Sequence, residues 1–240
     1  MTPAAAVDAL STTALSSLPA AVPASTPSAR IEQDNKSKKK VNKRKRRRRT
    51  RAKRSRRRAR RGFVQLTSNG PGFVIRDPHR SWGTSLTLRR LKEVSSAYIK
   101  RFPQALPVSI CDLSRRWGGK FYPHASHRTG RDVDLGLILK RPRRGWVKAS
   151  AKTLHAERMW FLISSLVATG DVEYIFIDRR LQRAMYRFAR SQGHSKQELG
   201  RVLQYPRRHG GIVRHWKGHR DHIHVRFVRP SRQLRRIPVS

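Results

Sequence analysis

Ten histidines occur in 240 residues, and three of them crowd into one short run, Gly218-His219-Arg220-Asp221-His222-Ile223-His224-Val225-Arg226-Phe227. Side chains of an extended strand alternate faces, so His222 and His224 point one way while Ile223, Val225 and Phe227 point the other. One face supplies core and the other imidazoles. A second concentration is His124-Ala125-Ser126-His127-Arg128-Thr129-Gly130-Arg131-Asp132-Val133-Asp134. Gly130 allows a tight turn between His127 and a strand that starts near Arg131. An imidazole from the loop and a carboxylate from the strand can then converge. With His224 they make two neutral nitrogens and one carboxylate, a set that suits a catalytic zinc whose fourth position is left to water. A structural zinc would call for four protein ligands, usually including cysteine, and the chain has only Cys111.

Asp132 rivals Asp134 as the carboxylate ligand, because both lie on one strand face about 7 Å apart. The offset of two residues between His222 and His224 puts His222 beside the ion, within reach of general-base work. No Ser-His-Asp order or Cys-His pair offers a competing nucleophile.

The pattern His127-x-x-Gly130-x-Asp132-x-Asp134, followed far downstream by His222-x-His224, resembles the signature of the zinc peptidases that group lysostaphin-type, D-alanyl-D-alanine and hedgehog-type domains. The longer strings at 124–134 and 218–226 resemble one branch, the penicillin-insensitive murein endopeptidases. Trp82-Gly83 and Gly118-Gly119 are weaker supporting matches, and the resemblance runs from about Gly70 to Pro230. It implies His127, Asp134 and His224 as ligands of one Zn²⁺, with Asp132 behind them. It also implies that His219 and His124 line the same cleft as the base His222, donating hydrogen bonds to an oxyanion or orienting the base. The substrate, a peptide cross-link of peptidoglycan between D-alanine and diaminopimelate, comes from the resemblance alone. So does a place in the periplasm or cell envelope. The lone cysteine rules out an intrachain disulfide, a departure from some proteins of this type.

The net charge is +42 and the pI about 12.0. From Lys36 to Arg61, 19 of 26 residues are Lys or Arg and none is acidic, so repulsion and the lack of apolar groups forbid a packed core, and a disordered polybasic tract is expected over 36–61. Removing those 19 charges leaves +23 on the remainder, so anionic partners are expected: envelope polymers or lipids through 36–61, or nucleic acid bound without specificity. Residues 1–35 are rich in Ala, Ser, Thr and Pro and read as a linker or processed leader. Asp8 and interspersed Ser and Thr interrupt the apolar core of a secretory signal, and no segment has the apolar length of a membrane span.

From 62 to 230 the chain is long enough for one domain, followed by a basic tail at 231–240. Strands are expected at Phe63–Leu66, Gly72–Ile75, Pro107–Cys111, Arg131–Leu139, Val172–Ile177 and through the histidine run. Apolar spacing predicts helices over Ser85–Arg101 and Thr153–Ala168, and one carrying Leu181, Met185 and Phe188; Ser195 and Glu198 form a capping box for a short fourth. Without a βαβ rhythm or a glycine phosphate loop, this order points to an α+β domain with a mainly antiparallel sheet. Cys111 reads as a small buried side chain. Trp82, Trp117 and Trp216 read first as core or rim and second as walls of a peptide cleft.

Three functions fit these residues. The first is amide hydrolysis in murein by zinc-activated water with His222 as base. The second is a catalytically silent zinc module, and the third a basic nucleic-acid-binding protein. The polybasic tract serves the third but leaves the His-Asp-His set unexplained.

Overall fold

The histidine run becomes one of the two central strands of a six-stranded sheet. The computed structural model describes residues 38–51, 63–142 and 145–229, so the expected leader at 1–35 and the tail at 231–240 lie outside the described residues. The chain divides into units 1–52 and 53–240.

Of the first unit, residues 38–51 form one helix, α1, exposed at every position. Lys and Arg are good intrinsic helix formers, and a helix needs no packed core to satisfy its own backbone.

In the second unit the strands are β1 (Phe63–Gln65), β2 (Phe73–Ile75), β3 (Trp82–Thr84), β4 (Val108–Ile110), β5 (Asp132–Gly136), β6 (Val172–Ile177), β7 (Val213–His215) and β8 (His222–Phe227). The helices are α2 (Ser85–Arg101), α3 (Ala156–Ala168), α4 (Arg179–Ser191) and α5 (Lys196–Val202). β1 and β3 pair as a small antiparallel ribbon, and the large sheet runs β2-β4-β5-β8-β6-β7. Its central pairings, β4 with β5, β5 with β8 and β8 with β6, are antiparallel. The two edge pairings, β2 with β4 and β6 with β7, are parallel. The sheet is therefore mainly antiparallel, as expected, but mixed, with parallel pairing at both edges. Parallel neighbours need a crossover, and α2 lies between β2 and β4 while α4 and α5 lie between β6 and β7. The α+β class holds.

Local sequence explains the helices. Thr84 caps α2 by accepting the Thr87 N–H, and Leu88, Leu91, Val94 and Tyr98 recur on its buried side. Met159, Leu162, Ile163 and Leu166 do the same for α3, and Leu181, Met185 and Ala189 for α4. The capping box of α5 forms as expected, with Ser195 and Glu198 each accepting the other's backbone N–H. These helices join the core with Ile223, Val225 and Phe227 of β8, all wholly buried. At roughly 1.5–3 kcal/mol for each such side chain, this apolar face fixes which way the imidazoles look. Among the described residues, no helix is long and apolar enough to cross a membrane.

Truncating a large ring in this core leaves a cavity, so Phe227→Ala should lower the unfolding free energy in guanidinium by about 3–5 kcal/mol. Val64, which is 46% exposed, should tolerate alanine within about 0.5 kcal/mol. Equal effects would contradict the assignment of faces on β8.

Candidate metal centre

Register places the ligand candidates opposite one another. Across β5 and β8, Asp132 faces Arg226, Asp134 faces His224 and Gly136 faces His222. The loop from Asp112 to Thr129 brings the third group, and His127 is wholly buried in a left-handed backbone conformation, φ +40°. That region costs a non-glycine residue of order 1–3 kcal/mol and persists where surrounding structure dictates it. Three residues on, Gly130 has φ +67°, and a Cβ there would stand 2.6 Å from the Phe63 ring. Its carbonyl accepts the Thr84 N–H at 2.8 Å. The turn into β5 is thus anchored to the β1–β3 ribbon.

Three donor atoms meet. His127 Nε2 lies 3.2 Å from Asp134 Oδ1 and 3.1 Å from His224 Nδ1, and His224 Nδ1 lies 2.9 Å from the same oxygen. The far side of each ring is already committed. His127 Nδ1–H donates to the Leu113 carbonyl at 2.7 Å. His224 Nε2–H faces Asp132 Oδ1 at 3.3 Å, and Asp132 in turn accepts from Arg226 at 3.1 Å. Outward hydrogen bonds of this kind fix the tautomer that leaves a lone pair facing inward. Burial pushes the His224 pKa down, but Asp132 and Asp134 outweigh it and raise the value to about 9. Burial likewise opposes ionisation of Asp134, yet its contacts with His127 and His224 hold it well below the usual carboxylate range. Asp134 Oδ2 is buried without a hydrogen-bond partner. An ionised buried carboxylate and an orphaned oxygen together call for positive charge, and nitrogen–oxygen sets of this kind suit zinc once the histidines are neutral.

His124 completes an overlapping set. One ligand atom each from His124, His127 and Asp134 lies within 4.8 Å of the others, with His124 Nδ1 3.5 Å from Asp134 Oδ2. Its opposite nitrogen is 2.7 Å from Asp112 Oδ2. Arg80 grips the same carboxylate through two bonds, at 2.6 and 2.8 Å. Burial would raise the Asp112 pKa, but bonds from His124 and Arg80 keep it low.

His222 Nε2 stands 3.9 Å from Asp134 Oδ1, while its Nδ1–H donates to Asp221 Oδ1 at 2.6 Å. The His219 ring lies 4.7 Å from that of His222. Burial, then the proximity of His222, lowers the His219 pKa. The structure therefore gathers all six residues singled out in the sequence around one point. Asp132 stands behind His224, bridging it to Arg226. Of the tryptophans, Trp117 and Trp216 are exposed and none of the three expected candidates lines the cleft of about 710 Å³ over the site, whereas Trp146 does. It meets the His222 ring edge-on, 5.2 Å between centroids. Asp112, Asp221, Arg80 and Trp146 were missed. Asp221 sits next to His222 in the sequence and could have been found there.

An α+β domain with histidines and aspartates gathered on its sheet defines the class. The family model for penicillin-insensitive murein endopeptidases matches residues 57–235, and the chain belongs to that family. It is 30% identical over 146 residues to a penicillin-insensitive murein endopeptidase of Pectobacterium atrosepticum, a match covering 53% of this chain and 46% of that protein. The chain thus spans about half the length of the relative it matches.

A site that seeks a cation should be stabilised by one. Zn²⁺ at about 100 times its dissociation constant should add about 2.7 kcal/mol, raising the melting temperature by roughly 5–10 °C in a domain of this size. His127→Ala should abolish the rise; an undiminished rise would place the ion elsewhere.

Proposed function

We propose that this protein hydrolyses peptide cross-links of peptidoglycan, between D-alanine and diaminopimelate, as a zinc-dependent endopeptidase of the cell envelope. The observation that carries this reading is the meeting of His127, Asp134 and His224 within 3.2 Å, beside a third imidazole, His222, that keeps a nitrogen free toward them. Membership of the murein endopeptidase family supports the substrate class.

His127, Asp134 and His224 would hold Zn²⁺, which supplies Lewis acidity and lowers the pKa of a water from about 15.7 to roughly 7. His222 acts as the base. Its Nδ1–H is held by Asp221, so Nε2 accepts the proton of the attacking water and returns it to the departing amine. Such acid–base help contributes about 10²–10⁴ in rate. His124, oriented by Asp112, and His219 would donate hydrogen bonds that steady the oxyanion as the carbonyl becomes tetrahedral. Breaking the amide gives a free carboxylate on D-alanine and a free amine on diaminopimelate.

The arrangement disfavours a silent zinc module, which has no use for a carboxylate-oriented imidazole beside the ion. The polybasic helix 38–51 fits retention on anionic envelope polymers or lipids, an accessory role with the same charge requirement as nonspecific nucleic-acid binding.

Mass spectrometry of purified cross-linked muropeptides, with and without a chelator, tests the reading. New amine ends on diaminopimelate should appear only with the metal. His224→Ala should lose zinc and cleavage together. His222→Ala should retain about one zinc per chain but lose about 10²-fold or more in kcat; an unchanged rate would remove His222 as the base.

A further inference from the structure

The cleft over the site holds four acids and two arginines that line it together with His124, His222 and Trp146. Their charges can be paired off one by one. Asp112 accepts from Arg80 and His124. Asp221 accepts from His222. Asp134 belongs to the metal centre. Asp77 accepts the His79 backbone N–H at 2.8 Å and caps the turn Pro78–Arg80. Arg76 is left over: it forms no ion pair with a carboxylate among the described residues.

Arg76 is exposed yet has a platform. Its guanidinium carbon lies 4.7 Å from the centroid of Trp146, and Trp146 lies 5.2 Å from His222. The guanidinium is therefore no farther from the His222 ring than those two distances together. Stacking occupies the flat face of a guanidinium and leaves the N–H groups at its edge free, a fork that matches both oxygens of a carboxylate. Arg80 is already committed to an acid, with its Nε and Nη2 edge filled by Asp112.

We propose that Arg76, stacked on Trp146, is the cleft's carboxylate-binding subsite and selects cross-link peptides that carry a free carboxylate near the scissile amide. This deepens the murein-hydrolase reading and rests on it. The chemistry of the cross-link supplies such a group, since the diaminopimelate centre whose amine forms the amide also bears a carboxylate. Isoglutamyl residues of the stem bear another. Arg76 breaks no ion pair among the described residues to receive either one.

The test uses the zinc-loaded full chain and three synthetic cross-linked peptides: the free acid, one amidated at the diaminopimelate carboxyl, and one amidated at the glutamyl carboxyl. One amidation should lower kcat/KM by about 10- to 100-fold, the range of a hydrogen bond to a charged group. Arg76→Ala should lower kcat/KM on the free acid to a similar extent, at unchanged zinc content, and should erase the penalty of that amidation. Arg76→Lys, which keeps the charge but loses the fork, should recover only part. Indifference of the wild type to both amidations, or a penalty that persists in full in Arg76→Ala, would overturn the proposal. Absence of cleavage of all three peptides would instead count against the hydrolase reading. In that case calorimetric binding of the cleaved acid and amide peptides decides the subsite: acid preference lost in Arg76→Ala supports it, and equal binding of acid and amide refutes it.

Discussion

A slip of one residue between β5 and β8 would turn Ile223 and Val225 to the cleft and bury His222 and His224 among the helices. Because side chains alternate along a strand, register and chemistry are the same constraint here. The register is held from the apolar side, where Ile223, Val225 and Phe227 are wholly buried. It is held from the polar side by the Asp132–Arg226 ion pair one step along from Asp134 and His224. Both faces of β8 thus vote for one alignment, and the alignment puts His224 opposite Asp134.

The surroundings of the three converging groups are specified outward. Each inner ring has its far nitrogen engaged, His127 by the Leu113 carbonyl and His224 by Asp132. Asp132 is itself steadied by Arg226, which also reaches the Tyr174 hydroxyl at 3.3 Å. Two carboxylates buried under one sheet face are tolerable only with compensating positive charge. Arg226 supplies part of it at Asp132, and the rest falls to whatever occupies the space between His127, Asp134 and His224. A second line of polar support runs from Arg80 through Asp112 to His124. The structure thus spends its few acids on aligning imidazoles, in a chain with 14 acidic and 56 basic residues.

Much of this was legible in the sequence because it depends on local periodicity. Helix α2 ends where Pro103 requires, β6 lies where its β-rich run stands, and the alternation of β8 separates core from imidazoles as the pattern His222 to Phe227 implies. The convergence of His127 with His224, 97 residues apart, was inferred from ligand chemistry and motif resemblance. What escaped depends on pairings that no local signal encodes. β3 and β7 are three residues long, too short for periodicity. The parallel edges arise from crossovers whose strands are distant in sequence. Asp112 and Arg80 meet only because a loop and a 3₁₀ turn fold toward each other, and Trp146 reaches His222 from a different loop. In the polybasic stretch, charge density argues against a packed core but leaves a lone exposed helix at 38–51 open.

X-ray absorption at the zinc edge of the loaded protein tests the central claim most directly. The account predicts one tightly bound zinc with nitrogen and oxygen neighbours only, two imidazole nitrogens at about 2.0–2.1 Å and a carboxylate oxygen at about 2.0–2.2 Å. A sulfur neighbour at about 2.3 Å, or an imidazole signal that survives unchanged in His224→Ala, would contradict it.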